Sequence, residues 1–301
     1  MKNKSQKKYQ LPEKIPTDMG GVGDALDPRM SKIFEIMNEA PIEGLRNFLD
    51  IGMGQGQLLK WLAKKGKTCT GIGLEIDTYG AEMTELKKLE VKIVEADAEK
   101  LPFPVASFDG VIMSHTLEHC LNTGIVLSEA KRVLKDSGWF FVFVPPYDSK
   151  ICSGHVNTGW NIGQLMYVLL LNGFDVKHGR FIRYGYNVAG FVQKEKRELP
   201  PLRYDRGDIS ILAKNGFWPA DIQSSKKDND SFYGDIISVN WDPKSKILPK
   251  TRRTFFEKLV KKLPARIRKM LGYRFSRFSK LAKNGLLEES NNTINPKILK
   301  G

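Results

Sequence analysis

Three glycines at every second position behind an acid, Asp50-Ile51-Gly52-Met53-Gly54-Gln55-Gly56, are the first residues whose spacing could do chemistry. Glycine has no Cβ, accepts φ values closed to other residues and lets a ligand lie against bare backbone. The N–H groups opening a following helix would face that ligand. Two further acids, Glu75 and Asp97, and three histidines, His115, His119 and His155, lie downstream. Carboxylates accept hydrogen bonds from hydroxyl and amino groups, and imidazole is suited to moving a proton near neutral pH.

Those residues need elements to hold them. The apolar run over 46–51 predicts a strand, and 55–65 predicts the helix after the glycine turn. A second strand is expected over 68–76 and a helix over 79–89, followed by a short strand over 91–96. After the loop Leu101-Pro102-Phe103, residues 108–113 read as a buried strand with 114–119 as its C-terminal loop. A helix over 123–134 leads through a turn at Ser137-Gly138 to an apolar strand over 139–144. Strands alternating with helices at this spacing predict a Rossmann-like, doubly wound parallel sheet.

Open α/β sheets bind ligands at the carboxyl ends of their strands. Here those ends carry Asp50, Glu75, Asp97 and His115. Glu75 lies 19 residues past Gly56, where an acid can accept hydrogen bonds from both hydroxyls of a ribose. Asp97-Ala98 suits the edge of an adenine. Dinucleotide binding is the first rival, but its Gly-x-Gly-x-x-Gly spacing fails, because the third site falls on Gln57 and the glycine comes one residue early.

The run Asp50-x-Gly-x-Gly-x-Gly resembles the first motif of class I S-adenosylmethionine-dependent methyltransferases. Further matches are Leu101-Pro102-Phe103, Ser107-Phe108-Asp109, the run from Ser114 to His119, and Glu129-Ala130-Lys131-Arg132-Val133-Leu134-Lys135. Together they resemble the type 11 subgroup over roughly residues 45–195. One departure is Ser137, a turn residue where the family usually has proline. The resemblance implies S-adenosyl-L-methionine as cofactor. It places Gly52, Gly54 and Gly56 along the methionine and ribose, Asp50 on the methionine amino group, Glu75 on the ribose, and Asp97 with Ala98 on the adenine.

The methyl acceptor is not fixed by the resemblance, because this family methylates sugars, lipids, quinones and other small molecules. A hydroxyl acceptor needs a base near its oxygen. His155, in Gly154-His155-Val156-Asn157, resembles the family's loop over the acceptor, and His115 follows the fourth strand; both are candidate catalytic residues. Each could equally be a structural hydrogen bond or a pocket wall. Pro145-Pro146-Tyr147 follows the fifth strand rather than the fourth, so it reads as a strand terminator and not as a base-methylating motif.

Beyond Pro146 a helix is expected over 160–171, strands over 174–181 and 187–193, a helix over 209–214 and a strand over 236–241. If antiparallel, the strand over 187–193 would complete the sheet. Domain organisation is expected as a flexible segment over 1–26, a methyltransferase domain over 27–195, an extension over 196–242 and a basic tail over 243–301. Asp27 reads as the cap of a first helix.

The net charge of +14 is concentrated in that tail. Of 48 Lys and Arg and 34 Asp and Glu, 17 bases and 3 acids fall in 243–301, so the first 242 residues balance at 31 of each. Within 254–283, apolar residues at helical spacing alternate with bases, and aromatics follow. Such a segment suits an anionic membrane surface. Other readings are a helix packed on the domain and single-stranded nucleic acid.

Three cysteines without ligand spacing suggest a reducing compartment and no metal. The first 16 residues lack an apolar h-region, so no signal peptide is expected. The expected function is O-methylation of a sugar, glycolipid or lipid by a cytoplasmic, peripheral membrane enzyme. An RNA-directed methyltransferase and a non-catalytic cofactor scaffold are the alternatives.

Overall fold

The structure, a computed structural model, describes residues 28–74, 83–147, 154–205, 207–220, 222 and 236–248. Eight strands form one sheet: β1 (Asn47–Ile51), β2 (Thr68–Gly73), β3 (Lys92–Glu95), β4 (Phe108–Ser114), β5 (Leu134–Val144), β6 (Phe174–Tyr184), β7 (Asn187–Lys194) and β8 (Ser238–Val239). The helices are α1 (Pro28–Met37), α2 (Gln57–Ala63), α3 (Met83–Lys88), α4 (Thr123–Val133), α5 (Ile162–Leu171) and α6 (Asp208–Lys214). The spatial order is β3-β2-β1-β4-β5-β7-β6-β8. Strands β1 to β5 pair in parallel, while β7 inserts antiparallel between β5 and β6. The expected antiparallel completion of the sheet is therefore present, and β8 adds a short antiparallel edge beyond it.

Side-chain alternation along the strands builds two cores. On β5, Phe140, Val142 and Val144 face one core and Phe141 and Phe143 the other, as period-2 geometry requires. Helices α4, α5 and α6 cover the first face through Val126, Leu127, Ala130, Leu165, Leu169 and Leu212. Helices α1, α2 and α3 cover the second through Ile33, Ile36, Leu58, Leu59, Leu62 and Leu86. Truncating one of these leucines to alanine costs about 3 kcal/mol by lost transfer and an unfilled cavity. With helices on both faces, β1 and β4 are central, and chain order reverses direction between them. The binding crevice of an open α/β sheet forms at that switch point.

Three expectations need correction. Ser137-Gly138 is not a turn ahead of the fifth strand but lies inside β5, which begins at Leu134. The irregularity appears instead as a register shift against β4 between Phe108 and Gly110. A Cβ at Gly138 would overlap the Asp109 carbonyl and Leu134, so glycine is needed there for close strand approach. The second correction is the domain end. Within 196–242, expected as an extension of the domain without a definite place, Leu212, Phe217, Trp218, Ile236 and Val239 lie in the first core. The third concerns the tail boundary at 243, because Ile247 is buried in the second core and Ser245 Oγ donates to Glu39 Oε1 at 2.7 Å. Trp241 anchors this return, donating from Nε1 to Glu39 Oε2 at 2.8 Å under the Arg180 guanidinium. The basic segment 254–283, Asp27 as a cap and residues 1–26 lie outside the described residues.

Candidate active site

Strand β1 ends at the crevice, and Asp50 projects from its last turn. Its carboxyl is 2% exposed, and Oδ1 has no hydrogen-bond partner among the described residues. Burial without a compensating charge pushes Asp50 up to about 7. The glycines that follow divide into two kinds. Gly52 (φ +76) and Gly56 (φ +75) are left-handed, and a Cβ on them would overlap Thr116 and Leu86 respectively. Those two are dictated by the protein's own packing. Gly54 (φ +50) faces open space, and a Cβ there would meet nothing within 4 Å. Of the three, Gly54 is the one that leaves room for a ligand. Thr116 completes the turn by donating from Oγ1 to the Ile51 carbonyl at 3.1 Å.

Asp97 and Ala98 follow β3. Asp97 Oδ1 accepts from the Glu99 N–H at 2.9 Å, a short turn that leaves the acid exposed at the strand end. The neighbouring Leu101–Phe103 loop is clamped by α4. Arg132 donates to the Phe103 carbonyl at 2.8 Å and the Leu101 carbonyl at 3.0 Å, and Glu129 Oε2 accepts the Leu101 N–H at 2.8 Å. Glu129 and Arg132 are themselves paired at 2.6 Å, and the guanidinium holds Glu129 below the usual carboxylate range. Asp109 has a structural part: it accepts the N–H groups of Arg46 and Asn47 and the Lys135 ammonium, fastening β1 to β4 and β5. Glu75 lies outside the described residues.

The histidines gather at the C-terminal end of β4. His115 has φ +52, an uncommon value for a non-glycine residue. Both its ring nitrogens are engaged, Nδ1 with Glu118 Oε1 at 3.2 Å and Nε2 with Asn187 Oδ1 at 2.9 Å. The Asn187 amide is oriented by its own donation to the Tyr184 carbonyl at 3.3 Å. A single 3-10 turn, Leu117–His119, then carries Glu118 inward and His119 outward. His155 reaches the same place from the loop after β5, with its ring centroid 4.8 Å from that of His119. That loop is sewn to the turn: the N–H groups of Val156 and Asn157 both donate to the Glu118 carbonyl, at 2.8 and 3.0 Å. Asn157 Nδ2 donates to the Cys120 carbonyl at 2.6 Å. Burial lowers His155 below the ordinary imidazole value, against the opposing pull of the Glu118 charge. The structure thus brings Asp50 and the glycines to one part of the crevice and His115 and His155 to another.

Residues 49–142 match a family model described as a methyltransferase domain. This segment belongs to the type 11 class I S-adenosylmethionine-dependent methyltransferases. Among similar proteins, the ubiquinone biosynthesis O-methyltransferase of Paracidovorax citrulli is 38% identical over 111 residues, 34% of this chain and 44% of that protein. An uncharacterised protein of Methanocaldococcus jannaschii is 40% identical over 172 residues, 56% of this chain and 60% of its own length. The fatty-acid O-methyltransferase of Mycolicibacterium smegmatis is 30% identical over 104 residues, 34% of this chain and 38% of that protein. The chain spans about half the length of these curated relatives.

The cofactor of this methyltransferase family is S-adenosylmethionine, and the crevice fits it on two counts. The orphaned Asp50 Oδ1 is a buried acceptor with no counter-charge of its own, suited to the methionine ammonium. The open space over Gly54 gives the methionine and ribose room against the backbone. Thr116, Glu118, Glu129 and Arg132 stand in the motif runs of the sequence without a role assigned there, and Asn187 is not evident at all. Thr116 and Glu118 sit between two flagged histidines, so position alone could have raised them. Asn187 is 72 residues from His115 and gives no local signal.

Proposed function

We propose that this chain is an S-adenosylmethionine-dependent O-methyltransferase whose acceptor is a hydroxyl on a lipid or lipid-linked sugar. It would work as a peripheral enzyme at the cytoplasmic face of a membrane. The observation that carries the acceptor class is the apolar rim beside the histidines. Leu121 is 79% exposed, Tyr147 66% and Val156 51%. Val156 adjoins His155, and Leu121 lies two residues past His119. Large apolar side chains exposed next to the histidines in sequence, Leu121 and Val156, suit an apolar partner. The two O-methyltransferases among the relatives, named for ubiquinone biosynthesis and for fatty acids, support an oxygen acceptor on an apolar molecule. The basic, aromatic-rich segment 254–283 supports an anionic membrane surface. Among the described residues no helix is long and apolar enough to cross a membrane.

When bound, the cofactor supplies a sulfonium methyl; the carbon–sulfur electron pair stays on sulfur while an acceptor oxygen lone pair makes the new bond to carbon. Asp50 would hold the methionine amino group through Oδ1, and the clamped 101–103 loop with Asp97 would wall the adenine side. Positioning of donor and acceptor supplies much of the rate, because the donor is already activated. The hydroxyl proton leaves toward the histidine cluster. His115, with both nitrogens occupied, acts there as a positioning residue for Glu118. His155 makes no hydrogen bond among the described residues and packs edge-to-face with His119.

Incubation of the full chain with methyl-labelled cofactor and separate lipid and aqueous cell extracts tests this reading. Label entering the organic phase, and falling at least about tenfold in the Asp50→Ala variant, is the expected result. Label confined to aqueous products or to nucleic acid overturns the acceptor class.

A further inference from the structure

Glu118 is 0% exposed, yet its Oε2 has no hydrogen-bond partner among the described residues. An unsatisfied buried carboxylate oxygen destabilises the fold, most of all when charged, unless a donor or a cation meets it. Two imidazoles stand beside it. Ligating atoms of Glu118, His119 and His155 all lie within 4.8 Å of one another. We propose that Glu118, His119 and His155 form a binding site for a divalent transition-metal ion at the acceptor side of the crevice.

The surroundings of each residue favour ligation. A ligating histidine typically fixes its free nitrogen by donating the other N–H to a carbonyl or carboxylate. His119 Nδ1 lies 3.3 Å from the Gly154 carbonyl, which leaves Nε2 with a lone pair for a metal. Glu118 is held in a similar manner: His115 Nδ1 engages Oε1, which leaves Oε2, the orphan, as the oxygen available to a cation. Asn187 steadies His115 from behind at 2.9 Å. His155 is carried on a loop whose N–H groups at 156 and 157 bond the carbonyl of Glu118 itself, so the third ligand is fixed to the first.

One carboxylate and two imidazoles form a mixed N/O set that suits Zn²⁺, Fe²⁺, Co²⁺ or Mn²⁺ rather than Ca²⁺ or Mg²⁺. Metal–ligand bonds near 2.0–2.2 Å bring donor atoms to about 3.4 Å apart in a tetrahedral shell, so binding draws the three inward by about an ångström. Three protein ligands leave at least one position open. Its use in catalysis rests on the methyltransferase reading: the open position faces the acceptor, where the cation would polarise a hydroxyl and make its proton easier to lose. His155 then acts as a ligand, and a hydroxyl proton leaving toward the cluster passes on to solvent beside it. The metal site itself stands independently of that reading.

Calorimetric titration of Zn²⁺ into chelator-treated full-length protein tests the site, with S-adenosylhomocysteine titrated into the same samples. The expected result is one equivalent of zinc, weakened at least about tenfold in both His119→Ala and His155→Ala. His178→Ala, which removes an exposed histidine paired with Asp175 at 2.7 Å, should leave zinc binding unchanged. Cobalt in place of zinc should give a visible absorption band that both ligand variants lose. Glu118→Gln should also lose zinc, but because Glu118 is buried the two histidine variants carry the decision. Absence of a one-equivalent site, or a site that survives both histidine substitutions, overturns the proposal. Zinc binding without S-adenosylhomocysteine binding would overturn the methyltransferase reading and leave the metal site standing. The reverse result would overturn the metal site alone.

Discussion

Two buried acids stand at the ends of neighbouring strands, and they are provided for differently. Asp50, at the end of β1, keeps one oxygen unpartnered with no offsetting charge, and burial alone moves it to about 7. Glu118, just past β4, also keeps one oxygen unpartnered, but it lies among His115, His119 and His155. Each orphaned oxygen is a cost to the fold that a ligand can remove. The first has no partner of its own and suits a ligand that carries its own cation, such as the methionine ammonium. The second comes with two further donors and suits a bare cation. Stability has been given up locally at both sites, in favour of binding.

The largest expected effect lies in the pH dependence of Asp50. Its folded value, about 7, exceeds its ordinary value of 3.8, so the folded state holds a proton that the unfolded state has released. Stability contributed by the neutral form is therefore lost as pH rises from 4 to 7, by up to about 4 kcal/mol, with little further change above that. Asp50→Asn should remove this loss. In denaturant titrations the variant should gain stability over wild type between pH 5 and pH 8 while binding cofactor more weakly. A variant-minus-wild-type difference that is flat with pH would show that the carboxyl is already compensated.

Second in size is the clamp on the cofactor side. Arg132→Ala removes two hydrogen bonds to the 101–103 loop and the pair with Glu129, and should cost about 2 kcal/mol of unfolding free energy. Cofactor affinity should fall severalfold, and zinc binding should be unaffected. Equal loss of both ligands would mean that the two sites are not separate.

The smallest effect separates Gly54 from an ordinary turn glycine. Gly44 and Gly54 both have positive φ and both face open space, so alanine at either costs about 1 kcal/mol in backbone strain. Only Gly54→Ala should weaken cofactor binding, by a few-fold, measured against equal thermal shifts in the two variants.

Much of this arrangement is legible in the sequence because it is local. The alternation of apolar runs and helical patterns places β1, β4, α4 and β7 within a residue or two, since each element carries its own periodicity. Ser137-Gly138 misleads because its glycine serves strand approach against Asp109 rather than a turn. The glycine turn stands where the sequence places it, and two of its three glycines answer to Thr116 and Leu86, contacts made across the fold. The last strand is expected within 236–241, but its place in the sheet is obscure because what holds it is remote. Trp241 is anchored by Glu39, 202 residues earlier. The Glu118 carbonyl is likewise bonded by the N–H groups of Val156 and Asn157 across a strand and a loop, a contact that no local pattern announces.

The central claim is that the crevice above Gly54 holds S-adenosylmethionine against Asp50. Calorimetric titration of S-adenosylmethionine and S-adenosylhomocysteine into wild type and Asp50→Ala at pH 8 tests it most directly. The account predicts one equivalent of either ligand bound at micromolar concentrations by wild type, and at least about tenfold weaker binding by the variant. Absence of binding to wild type, or binding that Asp50→Ala leaves unchanged, would contradict it.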